Sequence, residues 1–153
     1  MYSNHQNIEN LLSYTDLLIG SVLVVGSKAP NLVSKSMLKK MSPGSVIVDV
    51  AVDQGGCVET CTPTTHKNPT FVIDDIVHYC VSNMPGSVPY TSTLALTNVT
   101  LPYCIQLANS GIPGIKSHKP LLSGLNIHNG NVCHAGVAKA FDLPYVDVYS
   151  LLQ

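Results

Sequence analysis

The chain has 153 residues and a formal net charge of −1, with 11% charged residues against 45% hydrophobic ones; a typical soluble domain carries about 25% charged residues. The length suits one domain of ordinary size, and so apolar a composition suits a piece of a larger fold or an oligomer better than a free monomer. All eight basic residues are lysines, which argues against a nucleic-acid or anionic-membrane partner and removes the bidentate clamp that arginine offers a carboxylate or phosphate.

In chain order, residues 1–9 are polar and lack the apolar core of a signal peptide. Residues 7–14 predict a short helix with Ile8, Leu11 and Leu12 on one face. Residues 17–25 form a continuous apolar run that reads as a strand buried on both faces, followed by a loop over 26–30. Ser34 stands where it would N-cap a helix carrying Met37, Leu38 and Met41, ended by Ser42, Pro43 and Gly44. A second buried strand is expected over 45–52. It runs into Asp53, Gln54, Gly55 and Gly56, a carboxylate, an amide and two glycines at the strand's carboxyl end. In an open α/β sheet ligands bind at that end, and glycines permit close backbone approach.

Residues 55–69 read as a loop rich in Thr, Pro and Gly, and 70–76 and 77–81 as two further extended segments. Within the first, the adjacent Asp74 and Asp75 would face opposite ways. Asn83, Met84, Pro85 and Gly86 form a turn in which Asn83 is placed to bond a ligand. Residues 89–109 are the longest helical candidate, with Pro102 expected to kink or split it, and 111–113 break the chain. Shorter helices are expected near 115–122 and 132–141. No apolar run approaches the roughly 20 residues of a membrane span. The rhythm is that of a mostly parallel α/β sheet, with strands enough for half of a doubly wound nucleotide fold.

Each chemical motif has a plain structural alternative. Asp53 with its glycines is either a ligand-facing carboxylate or a turn in which Asp caps backbone N–H groups. Cys57 and Cys61 with His66 nearby invite a metal reading, but no second cysteine pair completes a tetrahedral set, so no metal is expected. The odd count of five cysteines without paired-motif spacing reads as reduced thiols of a cytosolic protein. His78 and Cys80 read as core or strand-flank residues, His128 and His134 as exposed, and His118 as a loop residue without a partner.

Several segments together carry a more specific signal. Residues 20–30 (GSVLVVGSKAP), 43–57 (PGSVIVDVAVDQGGC), 63–66 (PTTH), 78–86 (HYCVSNMPG) and 91–98 (TSTLALTN) resemble the L-alanine dehydrogenase family, collinearly over residues 2–145. The resemblance implies an NAD-dependent, cytoplasmic, homo-oligomeric (usually hexameric) enzyme that interconverts L-alanine with pyruvate and ammonia. Such an enzyme has a Rossmann domain and a second, catalytic domain. The chain matches the C-terminal part. Residues 1–110 would be the nicotinamide half of the NAD-binding domain, and 111–153 a helical segment belonging to the catalytic domain. The family's catalytic aspartate falls on Asp53. Val22 and Leu23, Val50, Ala51, Val52 and Asp53, and Val81, Ser82, Asn83 and Met84 fall on segments lining the nicotinamide half of the site. Thr62 stands where many members have arginine, and Val25 where a proline is usual.

The family's glycine-rich turn, its ribose-binding acidic residue and its substrate-binding lysine and histidine would precede Met1. The expectation is therefore weak or absent NAD binding and no turnover by this chain alone, with a separately encoded N-terminal portion as a candidate partner. Residues 17–25 would be left as an apolar sheet edge. Two alternatives stand beside this reading: the NAD-binding domain of proton-translocating NAD(P) transhydrogenase, and a non-catalytic remnant or interaction protein. The VDQGGC run and the HYCVxNMPG segment favour alanine dehydrogenase over transhydrogenase.

Overall fold

The computed structural model describes residues 2–152 and resolves into two compact units, one comprising residues up to 24 together with 28–87, the other 25–27 together with 88 onward. The first unit contains helix α1 (His5–Leu12), strand β1 (Leu17–Gly20), a 3-10 turn (Lys35–Lys40), β2 (Val46–Asp49), a second 3-10 turn (Val52–Gln54), β3 (Thr70–Ile73) and β4 (Ile76–Tyr79). The sheet order is β1-β2-β4-β3, with β1, β2 and β4 parallel and β3 antiparallel at one edge.

Helix α1 starts two residues before the predicted position because Asn4 caps it, its Oδ1 accepting from the Asn7 N–H at 2.8 Å. The helix ends by burying Leu12. The segment after Ser34 is a 3-10 turn rather than an α-helix, closed by the Met41 N–H on the Leu38 carbonyl at 2.9 Å. Its Met37, Leu38 and Met41 join Leu12 in the core. Strand register puts Leu18, Ile47, His78 and Phe71 in one row across the sheet, and this row faces that core.

The opposite face carries the row Leu17, Val46, Val77 and Val72, with Leu17 54% and Val72 62% exposed. Residues 17–25 are therefore not a long strand buried on both faces. The strand has four residues and lies at a sheet edge, with one apolar face open. Pairing stops at Gly20, where β2 reaches Asp49 and turns away. The expected single segment over 70–76 is also corrected. Asp74 and Asp75 adopt φ of 50° and 61°, the pair of positive φ values that a two-residue hairpin turn requires. They connect β3 to β4 instead of alternating across a strand.

The second unit contains α2 (Pro89–Ile115), α3 (Lys119–Ser123), a hairpin of β5 (Ile127–His128) and β6 (Asn131–Val132), α4 (Ala135–Phe141) and α5 (Val148–Leu151). Pro102 is accommodated inside α2, and the real break is at Gly111, whose φ of 58° and ψ of −164° are not helical. Sequence reasoning missed the β5–β6 hairpin, although Asn129 and Gly130 are the dipeptide that favours such a turn, with φ of 47° and 77°. His118 and His134 cap α3 and α4, each Nδ1 accepting a backbone N–H at 3.4 Å, from Leu121 and Val137 respectively. His134 is half-buried rather than exposed, and any Cβ at Gly26 would collide with its ring. Among the described residues, no helix is long and apolar enough to cross a membrane.

Candidate functional site

Because β1, β2 and β4 run parallel, the segments that follow them, 21–24, 50–54 and 80–84, leave the sheet from one end. Asp49, the last residue of β2, organises that end. It is fully buried, and its carboxylate accepts from the N–H groups of Ala51 at 2.9 Å, Cys57 at 2.8 Å and Val58 at 3.2 Å. The Cys57 thiol adds a longer bond at 3.6 Å. One side chain thus ties together both ends of the turn at 51–57. The turn needs its glycines: Gly55 and Gly56 have φ of 98° and 74°, and a Cβ on Gly56 would lie 3.0 Å from Asp49 Oδ2.

Inside this turn Val52 is buried and Asp53 is exposed. Asp53 Oδ2 accepts from the Asn83 N–H at 3.2 Å. This contact joins two loops thirty residues apart in sequence. Asn83 has a φ of 55°, and its carbonyl accepts from His66 Nε2 at 3.0 Å.

The remaining predicted positions fall around the same edge. Leu23 and Val50 are 68% and 51% exposed, Val22, Ser82 and Met84 are half-buried, and Ala51, Val52 and Val81 turn their side chains into the core. Those last three offer only backbone to a ligand. Thr62 is exposed on the loop before β3.

The thiols and His78 belong to the interior. Burial, reinforced by the Asp49 carboxylate, pushes the Cys57 thiol up to about 11. The Cys61 thiol is also raised, first by its hydrogen bond to Cys80 and then by burial. His78 is buried, with Nδ1 donating to the Ile76 carbonyl at 2.9 Å, so Nε2 accepts from the Thr60 hydroxyl at 2.7 Å in the neutral ring. Its ring stacks on Phe71 at 4.9 Å. Cys57 and Cys61 therefore lie in the core, while His66 is engaged with Asn83. Among the described residues no group of three or more His, Cys, Asp and Glu side chains is arranged to hold a metal ion.

Sequence reasoning passed over Asp49, which lies inside the buried strand expected over 45–52. The signal was present: a carboxylate inside a buried strand is costly unless it is hydrogen-bonded, so it has to anchor something.

The family model described as "Alanine dehydrogenase/PNT, C-terminal domain" matches residues 1–135. An alanine dehydrogenase of Halomonas elongata is 50% identical over 153 residues, covering 99% of this chain and 41% of the relative. Alanine dehydrogenase 2 of Staphylococcus aureus is 52% identical with the same coverage, 99% and 41%. The chain thus spans about 41% of the length of the curated relatives it matches. A solved L-alanine dehydrogenase superposes with a TM-score of 0.75 at 51% identity, over 92% of this chain and 39% of that one. A transhydrogenase from Sinorhizobium meliloti shares the fold, with a TM-score of 0.63 at 22% identity over 87% of this chain and 36% of that one.

Proposed function

The chain belongs to the alanine dehydrogenase/PNT C-terminal domain family, and from that premise we propose that it forms the nicotinamide-side half of the NAD site of an alanine dehydrogenase. The observation that carries this reading is the Asp53–Asn83 contact of 3.2 Å at the carboxyl edge of the parallel strands. That edge fits a nicotinamide riboside. Exposed Leu23 and Val50 offer apolar surface for a flat ring, Asp53 accepts from hydroxyls, and Asn83 both donates and accepts. When bound, NAD takes up a hydride, so that L-alanine, NAD and water give pyruvate, ammonium, NADH and a proton.

The Asp53 carboxylate orients hydroxyl or water protons beside the reacting carbon and would take up the proton that the attacking water gives up as the amine is released. Ala51, Val52 and Val81 support the site from below through buried side chains. Residues 111–153 would belong with the catalytic domain. The substrate-binding groups would come from the part of the relatives' length that this chain does not span, in a homo-oligomeric, cytoplasmic assembly. Identity of 50% and 52% to alanine dehydrogenases favours this chemistry over that of transhydrogenase, whose 22% likeness speaks for fold alone.

The test is reconstitution. The chain would be mixed with the portion of the Halomonas elongata enzyme that it does not match, and NADH formation from L-alanine followed. The expected result is turnover in the mixture, none by the chain alone, and a loss of at least a hundredfold with Asp53→Asn. Turnover unaffected by Asp53→Asn would overturn the role given to that residue. A well-folded mixture that neither binds NAD nor turns over would favour the non-catalytic reading.

A further inference from the structure

Asn83 sits in the left-handed region, where non-glycine residues are uncommon and asparagine is among the better tolerated. Both of its peptide groups are held. Its N–H donates to Asp53 Oδ2 at 3.2 Å, and its carbonyl accepts both from the Gly86 N–H of its own turn at 2.8 Å and from His66 Nε2 at 3.0 Å. A carbonyl has no proton to give, so His66 carries its proton on Nε2.

His66 is delivered to this position by a short parallel bridge between Thr64 and Val81. The Thr64 N–H donates to the Cys80 carbonyl at 2.8 Å, and the Ser82 N–H donates to the Thr64 carbonyl at 3.1 Å. The Thr64 hydroxyl then donates to the Pro69 carbonyl at 2.9 Å, and the Asn68 N–H closes the turn on Thr65 at 3.1 Å. From the other side the chain returns at Gly86, where a Cβ would stand 3.1 Å from Asn83 Nδ2 and 3.3 Å from His66 Nε2. Two separate segments, those of Asp53 and His66, therefore converge on one asparagine and its own turn.

We propose that His66 is a positioning residue: acting through the Asn83 backbone, it fixes the left-handed turn that presents the Asn83 carboxamide, together with the Asp53 carboxylate, to a nicotinamide ring. The lock is a property of this chain alone, whereas the identity of the ring rests on the function proposed above. A histidine that merely decorated an exposed loop would leave Asn83 indifferent to its removal.

The test uses the full chain, isotopically labelled for NMR, with His66→Phe to remove the donor and His66→Gln to keep an N–H of similar reach. Without ligand, amide exchange at Asn83 is expected to rise roughly three- to tenfold in the Phe variant, the range expected for one lost hydrogen bond. It should return to the wild-type rate in the Gln variant, while Ile47 and His78 in the sheet report an unchanged core. Nicotinamide mononucleotide is then titrated. Its affinity, read from shifts at Asn83 and Asp53, should fall by a similar factor in the Phe variant and recover in the Gln variant.

Unchanged exchange at Asn83 in His66→Phe overturns the lock. Raised exchange with unaltered affinity overturns the positioning role. If exchange responds but the mononucleotide binds neither the wild-type chain nor its mixture with the portion of the Halomonas elongata enzyme that it does not match, the lock stands and the nicotinamide reading fails.

Discussion

Asp49 is a buried charge whose cost is offset locally: a carboxylate without solvent is expensive unless its oxygens are hydrogen-bonded, and three backbone N–H groups bond it. Asp49→Ala strands those donors, each worth about 1–3 kcal/mol when left unpaired. We expect a loss of about 3–5 kcal/mol, a large part of a domain's total stability, seen as a lower urea midpoint. Asp49→Asn should cost nearly as much, because its NH2 meets N–H groups that need an acceptor. Asp53→Asn is exposed and should shift stability by no more than about 0.5 kcal/mol, so a functional loss there would be chemical. Cys57 gives a pH dependence. Its folded thiol is held at about 11, above its ordinary value of 9.0, so between these values the unfolded chain releases a proton that the folded one keeps. Stability from this group is complete below pH 9 and lost as pH rises through about 11, a fall of about 2–3 kcal/mol for a shift of about two pKa units. Cys57→Ala should flatten that alkaline decline in urea titrations. At neutral pH a thiol reagent should modify exposed Cys104 well before buried Cys57, Cys61, Cys80 or Cys133.

The β3–β4 hairpin offers a test at the level of one element. Asp74 and Asp75 place two like charges side by side at positive φ. Asp75→Gly relieves both strain and repulsion and should raise stability by about 0.5–1 kcal/mol, measurable as a higher midpoint; a lower one would mean that the turn is held by Asp75 itself. The same hairpin marks the limit of sequence reading. Residues 70–81 were recognisable as extended from Phe71, Val72, Ile73, Ile76 and Val77, but an Asp-Asp turn lacks the glycine that normally announces one. The strand-turn-carboxylate arrangement ending in Asp53 was readable, because β-branched residues followed by Asp and two glycines constrain the backbone strongly. Its attachment to Asn83 was not, since nothing local in either segment encodes a contact made by the sheet's parallel register. His66 was hidden for the same reason, its partner Asn83 lying on another segment, whereas Asp49 was legible as a carboxylate inside an apolar strand. The end of β1 at Gly20 was equally unreadable, because apolar character continues through Val25 while pairing stops with β2.

Taken over the whole molecule, the low charge content has a structural counterpart in uncovered apolar surface. Parallel sheets normally have both faces covered, yet one face of β1 shows Leu17 and Ile19 to solvent, and β1 is an edge strand. In the second unit α2 exposes Leu94, Leu96, Val99, Leu101 and Ile105; a helix apolar on all sides is ordinarily buried. Contiguous patches of this kind mark interaction surfaces or aggregation sites, and an unpaired strand edge adds a template for further pairing. With a net charge of only −1, electrostatic repulsion does little to keep copies apart. The isolated chain should therefore self-associate with rising concentration, followed by sedimentation velocity and by binding of an apolar dye. Leu17→Lys with Ile19→Lys puts charge on the open face of the edge strand and should reduce association without lowering the urea midpoint, since neither side chain is in the core. The portion of the Halomonas elongata enzyme that this chain does not match should suppress dye binding in the same assay if it covers these faces. A monodisperse, dye-negative chain would show that exposure here carries no adhesive consequence. Association that the partner leaves untouched would instead point to copies of this chain as the natural covering.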